Sequence, residues 1–120
     1  MLLRLDFSID VPIYQQIRNQ IVRFIASGEL QPGQQLPTIR ALAGECGINS
    51  MTVSKAYSLL KQEGYLLADR RAGTVVSDRK PEAVPEQVRE NLLLALSEAK
   101  AAGAEPDAVL ALVKEVFSCL

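Results

Sequence analysis

A chain of 120 residues with 48 % apolar side chains, few aromatics and no Trp has room for one small domain and an appendage around a largely aliphatic core. It contains no His, which removes the commonest general base and transition-metal ligand, and neither Cys46 nor Cys119 has a partner at metal-ligand spacing, so we expect no metal, no cofactor and no disulfide framework. The net charge of −1 conceals a split, +3 over residues 1–80 and −4 over residues 81–120, compatible with nucleic-acid binding by the first part alone.

The opening MLLRLDFSID carries Arg4, Asp6 and Asp10 and has no signal-peptide core. No apolar run approaches the roughly 20 residues that span a bilayer. The expectation is a soluble, cytoplasmic protein with no membrane partner. Pro12 suits the start of a helix, with Asp10 close enough to cap it. Ile13, Ile17, Ile21, Phe24 and Ile25 then recur at helical spacing, which predicts a first helix over about residues 12–26, stopped by Ser27-Gly28. Pro32-Gly33 marks a turn, after which Leu36 enters a very short strand.

Pro37-Thr38 starts a second helix. Its stripe of Ile39, Leu42, Ala43 and Cys46 makes Cys46 a buried free thiol, and Gly47 ends it. Ile48 plugs the core. Asn49 or Ser50 caps a third helix, which turns Val53, Ala56, Tyr57 and Leu60 inward and ends at Gly64. Two short helices with a Gly in the turn between them are the signature of a helix-turn-helix. Residues 65–68 and 74–76 then flank the polar loop 69–73, which predicts a hairpin placed as a wing.

Residues 77–85, bracketed by Pro81 and Pro85, read as a linker. Two amphipathic helices follow, over about residues 85–101 and 106–118. Val88, Leu92, Leu96 and Ala99 line the first; Val109, Leu112, Val113, Val116, Phe117 and Leu120 line the second. Two short helices with faces this wide need a cover, either the winged domain or a second copy, and pairing between protomers also offsets the small size of the chain. The expected fold is mainly α with a small β-hairpin: a winged helix-turn-helix over residues 1–79 and a two-helix dimerisation tail over residues 80–120.

The second helix of a helix-turn-helix fits the major groove when its outward face carries groups that reach phosphates and base edges. Here that face holds Met51, Thr52, Ser54, Lys55, Ser58 and Lys61. Thr, Ser and Lys suit such hydrogen bonds, and Met51 offers apolar contact to a thymine methyl. Taken alone, the same face also fits an ordinary solvated helix. Arg40, at the start of the second helix, is placed to pin the DNA backbone or to lie on the surface. Arg70 and Arg71 at the hairpin tip repel each other unless a polyanion satisfies them, as a narrow minor groove would.

The segment PIYQQI (residues 12–17) is similar to the opening P-[LI]-Y-x-Q-[IL] of the GntR family of bacterial regulators. SGELQPGQQLPTIRALA (residues 27–43) resembles the family's S-G-x-[LY]-x-P-G-x-x-L-P-S-x-R-x-L-A, VSKAYSLLKQEGY (residues 53–65) resembles V-x-x-A-Y-x-x-L-x-x-E-G-[LY], and Gly73-Thr74 matches the wing's G-T. The resemblance covers about residues 11–77. It implies that Arg40, Asn49, Ser50, Thr52, Ser54 and the wing residues, Arg70, Arg71 and Thr74 among them, face DNA. The short helical tail resembles the YtrA subfamily, which implies dimerisation through that tail. The chain departs from the common pattern at Ser50 and Ser54, where many relatives have Arg, and at Arg71, where a wing Gly is common.

The function expected on this reading is transcription regulation: a repressor acting as a homodimer on a palindromic operator of double-stranded DNA. The competing reading is a winged-helix protein-interaction module with little DNA affinity, since the fold alone does not decide. An enzyme is not expected, for the chain has no nucleophile in an activated setting and no phosphate-cradling Gly loop. The tail has little room for the roughly 300 Å³ of a small-molecule site, though a groove at a dimer interface leaves space for an unidentified effector.

Overall fold

A computed structural model describes residues 1–78 and 84–118. The chain divides into two compact units, Met1–Arg79 and Lys80–Leu120. The first contains α1 (Ile13–Ser27), α2 (Ile39–Cys46), α3 (Ser50–Glu63), β1 (Leu66–Asp69) and β2 (Gly73–Val76); the second contains α4 (Glu86–Ala101) and α5 (Pro106–Ser118). Residues 79–83 of the expected linker, together with Cys119 and Leu120, lie outside the described residues.

The helical stripes bury as their spacing predicts. Ile17 and Ile21 of α1, Leu42 and Ala43 of α2, and Val53, Ala56, Tyr57 and Leu60 of α3 form one core with Leu30, Leu36, Leu66 and Val76. Ile13, Phe24, Ile25, Ile39 and Ile48 pack around its edge. Cys46 also packs at this edge and is only half-buried, because it sits on the last turn of α2; partial burial still raises its thiol pKa.

Local chemistry sets the helix ends. The Thr38 hydroxyl accepts the Ala41 N–H at 3.1 Å and Asn49 Oδ1 accepts the Met51 N–H at 2.6 Å, so Asn49 rather than Ser50 caps α3. Gly47, at φ 65°, takes the left-handed turn between α2 and α3 that a Cβ would strain. Asp10 does not cap α1: Pro12 itself occupies the cap position, two residues beyond Asp10, and its carbonyl receives the Gln15 and Gln16 N–H groups.

The hairpin pairs Leu66 with Val76 and Asp69 with Gly73, so its first strand begins one residue later than the apolar run suggested. The short strand expected at Leu36 is a single bridge between Gln35 and Val75. The Leu36 N–H donates to the Thr74 carbonyl at 2.9 Å, and the Leu36 side chain is buried. The base of the wing is thereby sewn to the segment that leads into α2.

Two interactions had no periodic signature. Arg18 of α1 forms a fork with Glu63 of α3, Nε to Oε1 at 2.9 Å and Nη2 to Oε2 at 3.0 Å. Ahead of α1, an extended arm places Met1, Leu3 and Leu5 against the core. Gln20 accepts the Arg4 N–H and donates to the Arg4 carbonyl; Gln16 does the same at Asp6 and also donates to Val11 O. Two glutamines one helical turn apart thus satisfy the arm's backbone as a neighbouring strand would, which explains why Gln16 is a buried polar side chain.

In the tail unit neither helix buries a residue. Leu92, Leu96, Leu112, Val113, Val116 and Phe117 all lie exposed, as does Val88, and Val109 is half-exposed. Among the described residues no helix is long and apolar enough to cross a membrane.

Candidate nucleic-acid interface

With one face of α3 committed to the core, the opposite face is fixed by helical geometry. Ser50, Met51, Lys55, Ser58 and Lys61 are exposed, and Met51 stands out from the first turn at 77 % exposure. Thr52 and Ser54, on the flanks of this face, are half-buried. The structure brings together the expected cluster at the N-terminal half of α3, where a helix entering the major groove carries its base contacts. Asn49 is exposed, but its Oδ1 is occupied by the cap, which leaves the amide NH₂ to face outward partners.

Arg40 is exposed on the first turn of α2, directly after the capped start. Arg70 and Arg71 are exposed at the hairpin tip, and among the described residues neither has an ion-pair partner. Thr74 differs from the other wing residues: it is half-buried in β2, opposite Ala68, and its carbonyl holds Leu36.

Three features of this region had little or no sequence signal. Asp69 closes the wing turn: its Oδ1 accepts the Ala72 N–H at 3.0 Å and the Arg71 N–H at 2.8 Å, and these bonds lower its pKa below the ordinary carboxylate value. An Asp at the mouth of a tight loop was the available sign. Tyr57 donates its hydroxyl to the Pro37 carbonyl at 2.8 Å, locking α3 to the entry of α2, and burial pushes the phenol pKa strongly upward. Finally, the Lys55 ammonium lies 4.0 Å from the centroid of the Tyr14 ring on α1.

The winged unit also carries an open groove of about 1290 Å³ between the arm, the end of α1 and the segment before α2. Its apolar lining includes Met1, Leu2, Phe24 and Leu36, and Arg4 and Arg23 line it as well. Among the described residues no three Cys, Asp or Glu side chains gather as a metal site requires.

The sequence profile of the bacterial regulatory proteins of the gntR family matches residues 13–76, from the first residue of α1 to the last of β2. Over 119 residues the chain is 32 % identical to the HTH-type transcriptional repressor YtrA of Bacillus subtilis, covering 96 % of this chain and 92 % of that protein. Against the regulator Rv1152 of Mycobacterium tuberculosis the match is partial, 37 % identity spanning 65 % of that protein's length. Among solved structures, YtrA of Sulfolobus acidocaldarius, a GntR-family transcription factor, superposes with a TM-score of 0.71 at 37 % identity, covering 84 % of this chain and 99 % of that one. The DNA-binding domain of AraR in complex with its operator ORR3 superposes with a TM-score of 0.54 at 28 % identity, over 64 % of this chain and 93 % of the domain. The chain therefore belongs to the GntR family of bacterial regulatory proteins, and is a DNA-binding transcription regulator built on a winged helix-turn-helix with a short, YtrA-like helical tail.

Proposed function

We propose that the protein is a cytoplasmic repressor that binds a palindromic operator as a homodimer, with α3 of each protomer in a major groove and each wing on the flanking minor groove. The observation that carries this reading is the two-faced α3: four side chains buried in the core and Met51 standing out at its N-terminal end. Arg40 then acts as a backbone clamp, while Asn49, Ser50, Met51, Thr52, Ser54 and Lys55 meet bases and phosphates, and Arg70 and Arg71, with Thr74 behind them, serve the wing. The AraR domain, solved on its operator, supports the placement by likeness of fold.

The dimer is supported by the tail. Val88, Leu92 and Leu96 on α4 and Val109, Leu112, Val113, Val116 and Phe117 on α5 form apolar faces that neither helix buries by itself. A head with only two excess positive charges over residues 1–79 binds DNA weakly alone, and joining two raises the effective concentration of the second at its half-site. The reading includes no enzymatic role. It leaves a place for an unidentified small-molecule effector in a groove at the dimer interface.

The test is footprinting of the DNA upstream of its own gene, with light scattering to fix the protein's mass. Protection of two half-sites about one helical turn apart by a dimer is the expected result. A monomer, or no sequence-selective protection on that DNA, overturns the reading.

A further inference from the structure

Lys55 is the lysine nearest the base-reading turns of α3, and its long, flexible stem loses rotamer entropy before it can hold a phosphate. The structure already confines it. Its Nζ lies 4.0 Å from the Tyr14 ring centroid, well within the roughly 6 Å over which a ring face attracts an ammonium. Tyr14 is itself confined: it sits on the first turn of α1, half-buried, with its ring against the core. Among the described residues no carboxylate pairs with Lys55. That distinction matters, because a carboxylate would cancel the charge a phosphate needs, whereas a ring face holds the ammonium and leaves its charge intact.

We propose that Tyr14 is a positioning residue for DNA binding, whose ring presents the Lys55 ammonium to a backbone phosphate beside the bases that α3 reads. The ring fixes one side of the ammonium and leaves N–H donors on the other for the phosphate. The first turn of α1, which carries no charged side chain of its own, thereby becomes part of the DNA-docking surface. This proposal rests on the placement of α3 against DNA.

The experiment is a double-mutant cycle on the full chain, using as probe a duplex from the upstream region of its own gene that the wild-type protein protects, titrated over a salt series. Lys55→Met lowers the slope of log K against log salt by about 0.9 for each phosphate left unneutralised. Tyr14→Leu weakens binding about two- to fivefold while Lys55 is present, and changes nothing further in the Lys55→Met background. Tyr14→Phe, which keeps the ring, binds as wild type, and Lys55→Arg retains most of the affinity. Urea unfolding of each variant separates reduced stability from impaired docking. If Tyr14→Leu costs the same in both backgrounds, or if Tyr14→Phe fails like Tyr14→Leu, the positioning role is wrong although α3 still reads DNA. If Lys55→Met leaves both affinity and salt slope unchanged, Lys55 touches no phosphate and the positioning role is wrong, whereas loss of the selective footprint in Met51→Ala and Thr52→Ala together is what tests the placement of α3.

Discussion

Arg71 stands where a glycine would let a wing lie flat on a groove floor, and Asp69 holds its backbone N–H, so the guanidinium projects from a closed turn. Arg71→Ala therefore removes a charge without loosening the hairpin. Operator affinity should fall several-fold and the salt slope by about 0.9 per phosphate that the guanidinium neutralises, with the unfolding midpoint unchanged. A shifted midpoint would mean that the side chain serves the fold. Tyr57 is the opposite kind of residue, polar but inward. Folding holds its phenol neutral, so ionisation favours the unfolded chain: stability is untouched below about pH 10, the ordinary phenol value, and falls as pH rises beyond it. Urea titrations from pH 7 to 11 should show this alkaline loss flattened in Tyr57→Phe, which also forfeits about 1 kcal/mol at neutral pH by leaving the Pro37 carbonyl without its donor.

Between elements, the Arg18–Glu63 fork fastens α1 to α3 beside the Tyr65 ring, which lies 5.6 Å from the guanidinium carbon. Both side chains are partly exposed, so solvent screening limits Arg18→Ala to about 1 kcal/mol in chemical denaturation. The elements themselves were legible because burial is periodic: Val53, Ala56, Tyr57 and Leu60 were readable as the inner face of α3 from their spacing alone, and the burial of all four follows. The glutamine clasp on the arm and the Lys55–Tyr14 pair were not legible. Each depends on where a long side chain meets a segment distant in sequence, and neither leaves a repeat to read. Thr74 shows the same limit within the interface, since a motif position says that a residue matters without saying whether its side chain or its backbone carries the role.

At the scale of the whole molecule the two units differ in charge, with a mildly basic head and an acidic, apolar-faced tail. Leu92→Glu combined with Phe117→Ser should convert the proposed dimer to a monomer in light scattering and weaken operator binding more than tenfold, while the head unfolds at the wild-type midpoint. Retention of the dimer would move the interface elsewhere. The bare faces of α4 and α5 also bear on how a cell would use such a protein. A repressor that must pair before it grips responds to its own abundance more steeply than in proportion, approaching the square of copy number when monomers predominate. On the proposed dimer, modest dilution would then release the operator sharply, and the controlled genes would acquire a threshold set by tail packing.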